Sequence, residues 1–191
     1  MLALAPIGLP LIDRASASQG EASPEATPAV MTPEQALELL LTTPFKSPLL
    51  PADAGDVTVS EWTDPDDEDF PGAIGGVVIA TNPDDLDSFL AIVTIFPDEE
   101  TARARVEPFT DRAVDSMNGK RVAVGGTTGL STLVEAPSGL SPDEHFAFSI
   151  VSTSFAVIAG SARDESIPGL EFRSIAYLVA AMDHFNRVVA V

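Results

Sequence analysis

Cysteine is absent from the 191 residues, which excludes disulfides, thiolate zinc sites, iron–sulfur clusters and cysteine nucleophiles without fixing a compartment. Lysine is nearly absent too, with only Lys46 and Lys120, and all basic residues number 10 against 29 acids. The resulting formal charge of −19 repels phosphate backbones and anionic lipid surfaces, so nucleic acid is excluded as a natural partner. Histidine occurs twice, as His145 and His184. No G-x-S-x-G elbow accompanies either one, and no His-x-x-x-His or His-x-x-Glu pair offers metal-ligand spacing. A hydrophobic run of the ~20 residues that a membrane-spanning helix needs is also missing.

What is present is enough to fold. With 45% hydrophobic residues, a chain of this length suits one globular domain with an appended segment, and no cofactor is required to hold it together. Two lysines amid abundant Ala, Gly, Pro and Asp point to a high-GC bacterial source. The N-terminal Leu2 to Ile12 is apolar, interrupted by Pro6, Gly8 and Pro10, and Ala15-Ser16-Ala17 supplies a small-x-small cleavage pattern. Residues 1–17 therefore resemble the hydrophobic and cleavage regions of a signal peptide, although the usual positive n-region is lacking. Residues 18–31 hold SQGEASPEATPAV, small, polar and Pro-containing, with no apolar face to bury, which is the composition of a disordered tether. Residues 32–191 are the expected folded domain.

Within it, Thr32-Pro33-Glu34-Gln35 carries a cap, a first-turn proline and the partner of a capping box, so a helix starts there and stops before Pro44. The segment from Thr43 to Pro51 should run extended with Phe45, Leu49 and Leu50 inward. From Val57 the alternation puts Val57 and Val59 on one face of a strand and Trp62 on the other. Further strands are expected at Ala73–Ala80, Phe89–Phe96, Val122–Gly125, Thr132–Glu135, His145–Ser152 and Phe155–Gly160. A helix follows Asp98-Glu99-Glu100, kinked or divided at Pro108. A last helix from about Phe172 to Val189 has Ile175, Leu178, Val179, Met182, Phe185 and Val189 at helical spacing. The fold class is α+β: a mostly antiparallel sheet packed with helices in two layers, with two ββα-like halves.

Chemistry-bearing patterns are few. Asp64, Asp66, Asp67, Glu68 and Asp69 crowd five carboxylates around Pro65, and hard cations such as calcium prefer oxygen ligands. The EF-hand template fails, because Asp69 stands where that loop needs glycine and Gly75 where it needs glutamate; a solvated acidic loop competes with weak calcium binding. Gly125-Gly126-Thr127-Thr128-Gly129 follows a strand but lacks the Gly-Lys-Ser/Thr of a phosphate loop, so a turn between strands accounts for it. Trp62, the single tryptophan, ends a strand beside the acidic run and Phe70. Trp62 and Phe70 are the candidate ligand-binding pair, with core cover as the competing role of the indole.

These observations favour an exported, non-catalytic binding or sensor-like module engaging a small molecule or an envelope protein beside Trp62 and Phe70. One alternative is a structural subunit that homodimerises through an apolar sheet face. Another is a hydrolase using His145 or His184 with an acid.

Overall fold

The computed structural model describes residues 31–62, 70–81, 89–116, 119–122, 132–137, 145–164 and 169–190. The signal-like segment, the tether, the acidic run of Asp64, Asp66, Asp67, Glu68 and Asp69, and the 125–129 glycine turn lie outside them.

Helix α1 spans Pro33–Thr42 and begins as its sequence dictates. The Thr32 hydroxyl accepts from the Gln35 amide at 3.3 Å while Gln35 Oε1 accepts from the Thr32 amide at 2.9 Å, satisfying two donors that a helix start leaves open. Strands β1 (Thr58–Trp62), β2 (Gly75–Ala80) and β3 (Phe89–Ile95) follow. Helix α2 (Glu99–Ser116) then leads into β4 (Lys120–Val122), β5 (Thr132–Pro137), β6 (His145–Thr153), β7 (Ala156–Asp164) and α3 (Leu170–Val189). Asp98 fixes the start of α2 by accepting from the Thr101 amide at 2.7 Å, and that bond holds its carboxyl below the usual range. Pro108 lies inside α2 without dividing it; its missing N–H leaves the Ala104 carbonyl without its in-helix donor.

The seven strands form one antiparallel sheet in the order β1-β2-β3-β7-β6-β5-β4. The α+β reading therefore stands, with β1 and β2 on one side of the central β3–β7 pair and β6, β5 and β4 on the other. The expected two layers are three. Register puts Val77, Val93 and Ile158 on one face and Ile92, Ala159 and Ile150 on the other. Leu178, Ala181 and Phe185 of α3 and Leu40 of α1 share a core with the first set, whereas Ala102 and Val106 of α2 share one with Ala159 and Ile150. The two ββα-like halves thus send their helices to opposite faces. With helices on both sides, the central strands are apolar on both faces, as Phe89–Phe96 is in the sequence.

Two close contacts set the spacing. A Cβ on Gly160 would lie 2.4 Å from the Ser174 carbonyl oxygen and 2.5 Å from the Leu178 nitrogen, so α3 rests on bare β7 backbone. Beside it the buried hydroxyls of Ser149 and Ser174 satisfy each other at 2.8 Å. The β6–β7 connection is a two-residue turn, Ser154-Phe155, in which Ser154 takes the positive φ of 46° usually left to glycine or asparagine.

Candidate functional site

The chain between α1 and β1 crosses the outside of the domain and is fastened to α3 at two places. Near its start, Phe45 stacks at a tilt on the His184 ring with centroids 4.8 Å apart. The Lys46 amide donates to His184 Nδ1 at 3.4 Å, and the nearby Ser47 side chain helps to hold the Asp183 carboxyl below the usual range. Further on, Leu50 and Ala54 join Tyr177 in a small core, and Asp53 pairs with Arg173 at 3.5 Å. These two anchorages are 11 residues apart on α3, about 16 Å at the helical rise. Between them the chain bows outward, and Leu49, expected inward, is 50% exposed.

The bow creates a concavity. Phe45, Lys46, Ser47, Pro48 and Leu50 from one limb and Gly55, Asp56 and Val57 from the other line an open cavity of about 440 Å³. Gly55 makes the return possible with φ 77°, in the left-handed region where a side chain would be strained. Phe45, Pro48, Leu50 and Val57 supply apolar walls. Lys46 and Asp56 supply one charge of each sign, and neither forms an ion pair among the described residues. Half of the lining residues are apolar, a more polar wall than the predominantly apolar one usual in small-molecule sites.

His184 lies directly behind this wall. Although Asp183, Asn186 and Arg187 flank it in sequence, it is only 2% exposed. The buried residues of α3 are Ser174, Tyr177, Leu178, Ala180, Ala181, His184, Phe185 and Val188, and Val179, expected inward, is 40% exposed. Because Nδ1 accepts from Lys46, the neutral ring carries its proton on Nε2. That atom is buried with no partner, an unsatisfied donor that costs about 1–3 kcal/mol. Burial pushes the imidazole pKa below its ordinary value and the charge of Arg187 adds to that, while the Lys46 backbone and Asp183 oppose it. Asp183 itself is held ionised by Ser47 and by Arg187, whose Nε donates at 2.9 Å. The donor that reaches Nδ1 is the Lys46 amide and not the Ser47 hydroxyl, so these three side chains do not form a nucleophile–base relay.

The pair expected to bind ligand is brought together elsewhere. Trp62 meets Phe70 edge-on at 5.1 Å, and Phe70 stacks on Phe109 at 4.7 Å with Phe96 at 6.4 Å. Phe70 is 6% exposed, so its ring closes the core over α2, while the partly buried Trp62 covers Gly76, where a Cβ would lie 2.9 Å from the indole. On the same sheet face Val78 and Ile92 remain partly open, and Thr94 Oγ1 is buried without a partner. His145 opens β6 opposite Asp164 and Pro137. No group of three acids or histidines poised for a metal occurs among the described residues, and no described helix is long and apolar enough to cross a membrane.

The groove itself carried no sequence signal, because its walls come from a segment without periodicity. His184 did carry one. It stands seven residues after Tyr177 and three after Ala181, in phase with the buried stripe.

No protein-family model matches the chain, and none of the curated proteins does. Among solved structures it is similar to the extracellular domain of PknH from Mycobacterium tuberculosis, at a TM-score of 0.42 and 16% identity, over 83% of this chain and 93% of that one.

Proposed function

We propose that the protein is an extracytoplasmic, non-catalytic binding module whose ligand is a small amphipathic zwitterion, of the chemical class of a free amino acid with an apolar side chain. The observation that carries this is the 45–57 groove. Lys46 is one of only two lysines in a chain of charge −19, and it shares the groove with the equally unpaired Asp56. A ligand with a carboxylate and an ammonium satisfies both, while Phe45, Pro48, Leu50 and Val57 receive its apolar part. Placement outside the cytoplasm is supported by the signal-like residues 1–17 and the Pro/Ala/Ser tether that follows them.

The test is the thermal midpoint of the full chain against a panel of free amino acids at millimolar concentration. A ligand at a hundred times its Kd stabilises the native state by about 2.7 kcal/mol, or roughly 5–10 °C for a domain of this size. The expected result is such a rise with apolar amino acids, lost in both Lys46→Ala and Asp56→Ala. No rise across the panel, or a rise that both variants retain, refutes the reading.

A second reading is favoured by the partly open face beside Trp62, where Val78 and Ile92 are incompletely covered and Thr94 Oγ1 is unpaired. That face would take a ligand of its own or a second copy of the chain. Loss of a ligand-induced rise in Trp62→Ala alone supports the first of these, and a mass that doubles with concentration in light scattering supports the second.

A further inference from the structure

The groove wall formed by Phe45, Lys46 and Ser47 rests through Phe45 on the core that the sheet shares with α3. Two further contacts fasten it to α3, and both end on one imidazole: the Lys46 amide on Nδ1 at 3.4 Å and the Phe45 ring at 4.8 Å. The imidazole is buried to 2% exposure, and its Nε2 faces no acceptor. A neutral ring fits this place. An imidazolium does not, since Nδ1 would then carry a hydrogen pointing at the Lys46 N–H, and the second N–H would still have no acceptor.

We propose that His184 is a proton-operated latch on the 44–48 limb, closed and groove-forming when the ring is neutral, released when it is protonated. The device rests on the groove reading above and supplies its regulation: ligand is held at neutral pH and let go in acid. The groups whose charge bears on the ring are few. Asp183 and Arg187 lie on its own helix, and Lys46 comes from the limb packed on it. Glu34 and Glu38 of the neighbouring α1 are exposed to solvent. The Lys46 backbone and Asp183 raise the ring's pKa and Arg187 lowers it, but burial outweighs them all and depresses it. The sign follows. Where the closed form has a lowered histidine pKa, the open form binds more protons, so closure is complete above the ordinary histidine value of about 6.5 and weakens as pH falls below it. The open population then grows by up to about tenfold for each pH unit until the closed-state pKa is reached. Ser47–Asp183 does not contribute in this range, because the Asp183 carboxyl is already held below the ordinary carboxylate value.

The experiment is amide hydrogen exchange of the full chain without ligand, expressed as protection factors, at about pH 7.5 and about pH 5. The expected result is a loss of protection of about tenfold or more confined to the Lys46 amide and its neighbours in residues 45–50. Amides of Val93 and Ile158 in the central strands keep theirs. His184→Phe, and His184→Gln as a second variant that retains an acceptor for the Lys46 amide, make the limb's protection independent of pH, which also separates His184 from His145. Unchanged protection of the limb, or the same loss in both variants, overturns the latch. Because no ligand is used, that failure leaves the groove reading untouched, while absence of amino-acid binding at about pH 7.5 would remove the groove reading and not the latch.

Discussion

Where α3 covers the sheet it lies against bare backbone, so close at Gly160 that a single methyl would meet the helix main chain, whereas the opposite face at β1 to β3 is closed by side chains, with Trp62 over Gly76. A helix sealed backbone to backbone cannot yield without losing the Leu178, Ala181 and Phe185 packing behind it. A face sealed by indole and phenyl rings can open by rotamer change. The crossing segment at 44–57 goes a step further, since it is fastened to α3 by a few contacts whose centre is a titratable ring. Local stability is set by how much apolar contact each closure carries, and binding sites belong where it is least.

Gly160→Ala presses hardest on this comparison. Its Cβ meets helix backbone that has no rotamer to change, so the expected loss is about 3 kcal/mol, a fall of roughly 10 °C in midpoint. Gly76→Ala should be milder. One of its neighbours, the Trp62 indole at 2.9 Å, can move, but the Val93 carbonyl at 3.0 Å cannot, and about 1–2 kcal/mol is expected in denaturant titration. Equal losses at the two glycines would erase the contrast between the faces. The smallest effect has the opposite sign. Thr94→Val keeps shape and removes a buried hydroxyl without a partner, and a gain of about 1 kcal/mol in the denaturation midpoint is expected; a loss would mean that the hydroxyl is satisfied.

Local features were legible in the residues wherever local chemistry decides structure. The capping box at Thr32 and Gln35, the division of Val59 and Trp62 between two faces, and the start of α2 after Asp98 all follow from neighbours in sequence. Features decided by distant partners were not. The three-layer arrangement depends on which face α2 crosses to after β3, and no residue of α2 states that. On α3 the expected stripe holds at Leu178, Met182, Phe185 and Val189 and fails at Val179, which is exposed. The sheet, offering bare backbone at Gly160, selects the stripe with small residues, Ser174 and Ala181, and so carries His184 inward. The acidic run at Asp64 to Asp69 and the aromatic pair beside it were visible because density of one residue type is visible. The groove was not, because a Pro-rich crossing segment acquires its shape only from the helix beneath it.

The role of the 45–57 groove turns on where a ligand lands. The most direct measurement is a residue-resolved NMR titration of the full chain with free leucine at about pH 7.5. Shifts confined to residues 45–57 and to Asp183 through Arg187 are the predicted result. Shifts centred on Trp62, Gly76 and Thr94, or none at saturating concentration, would contradict it.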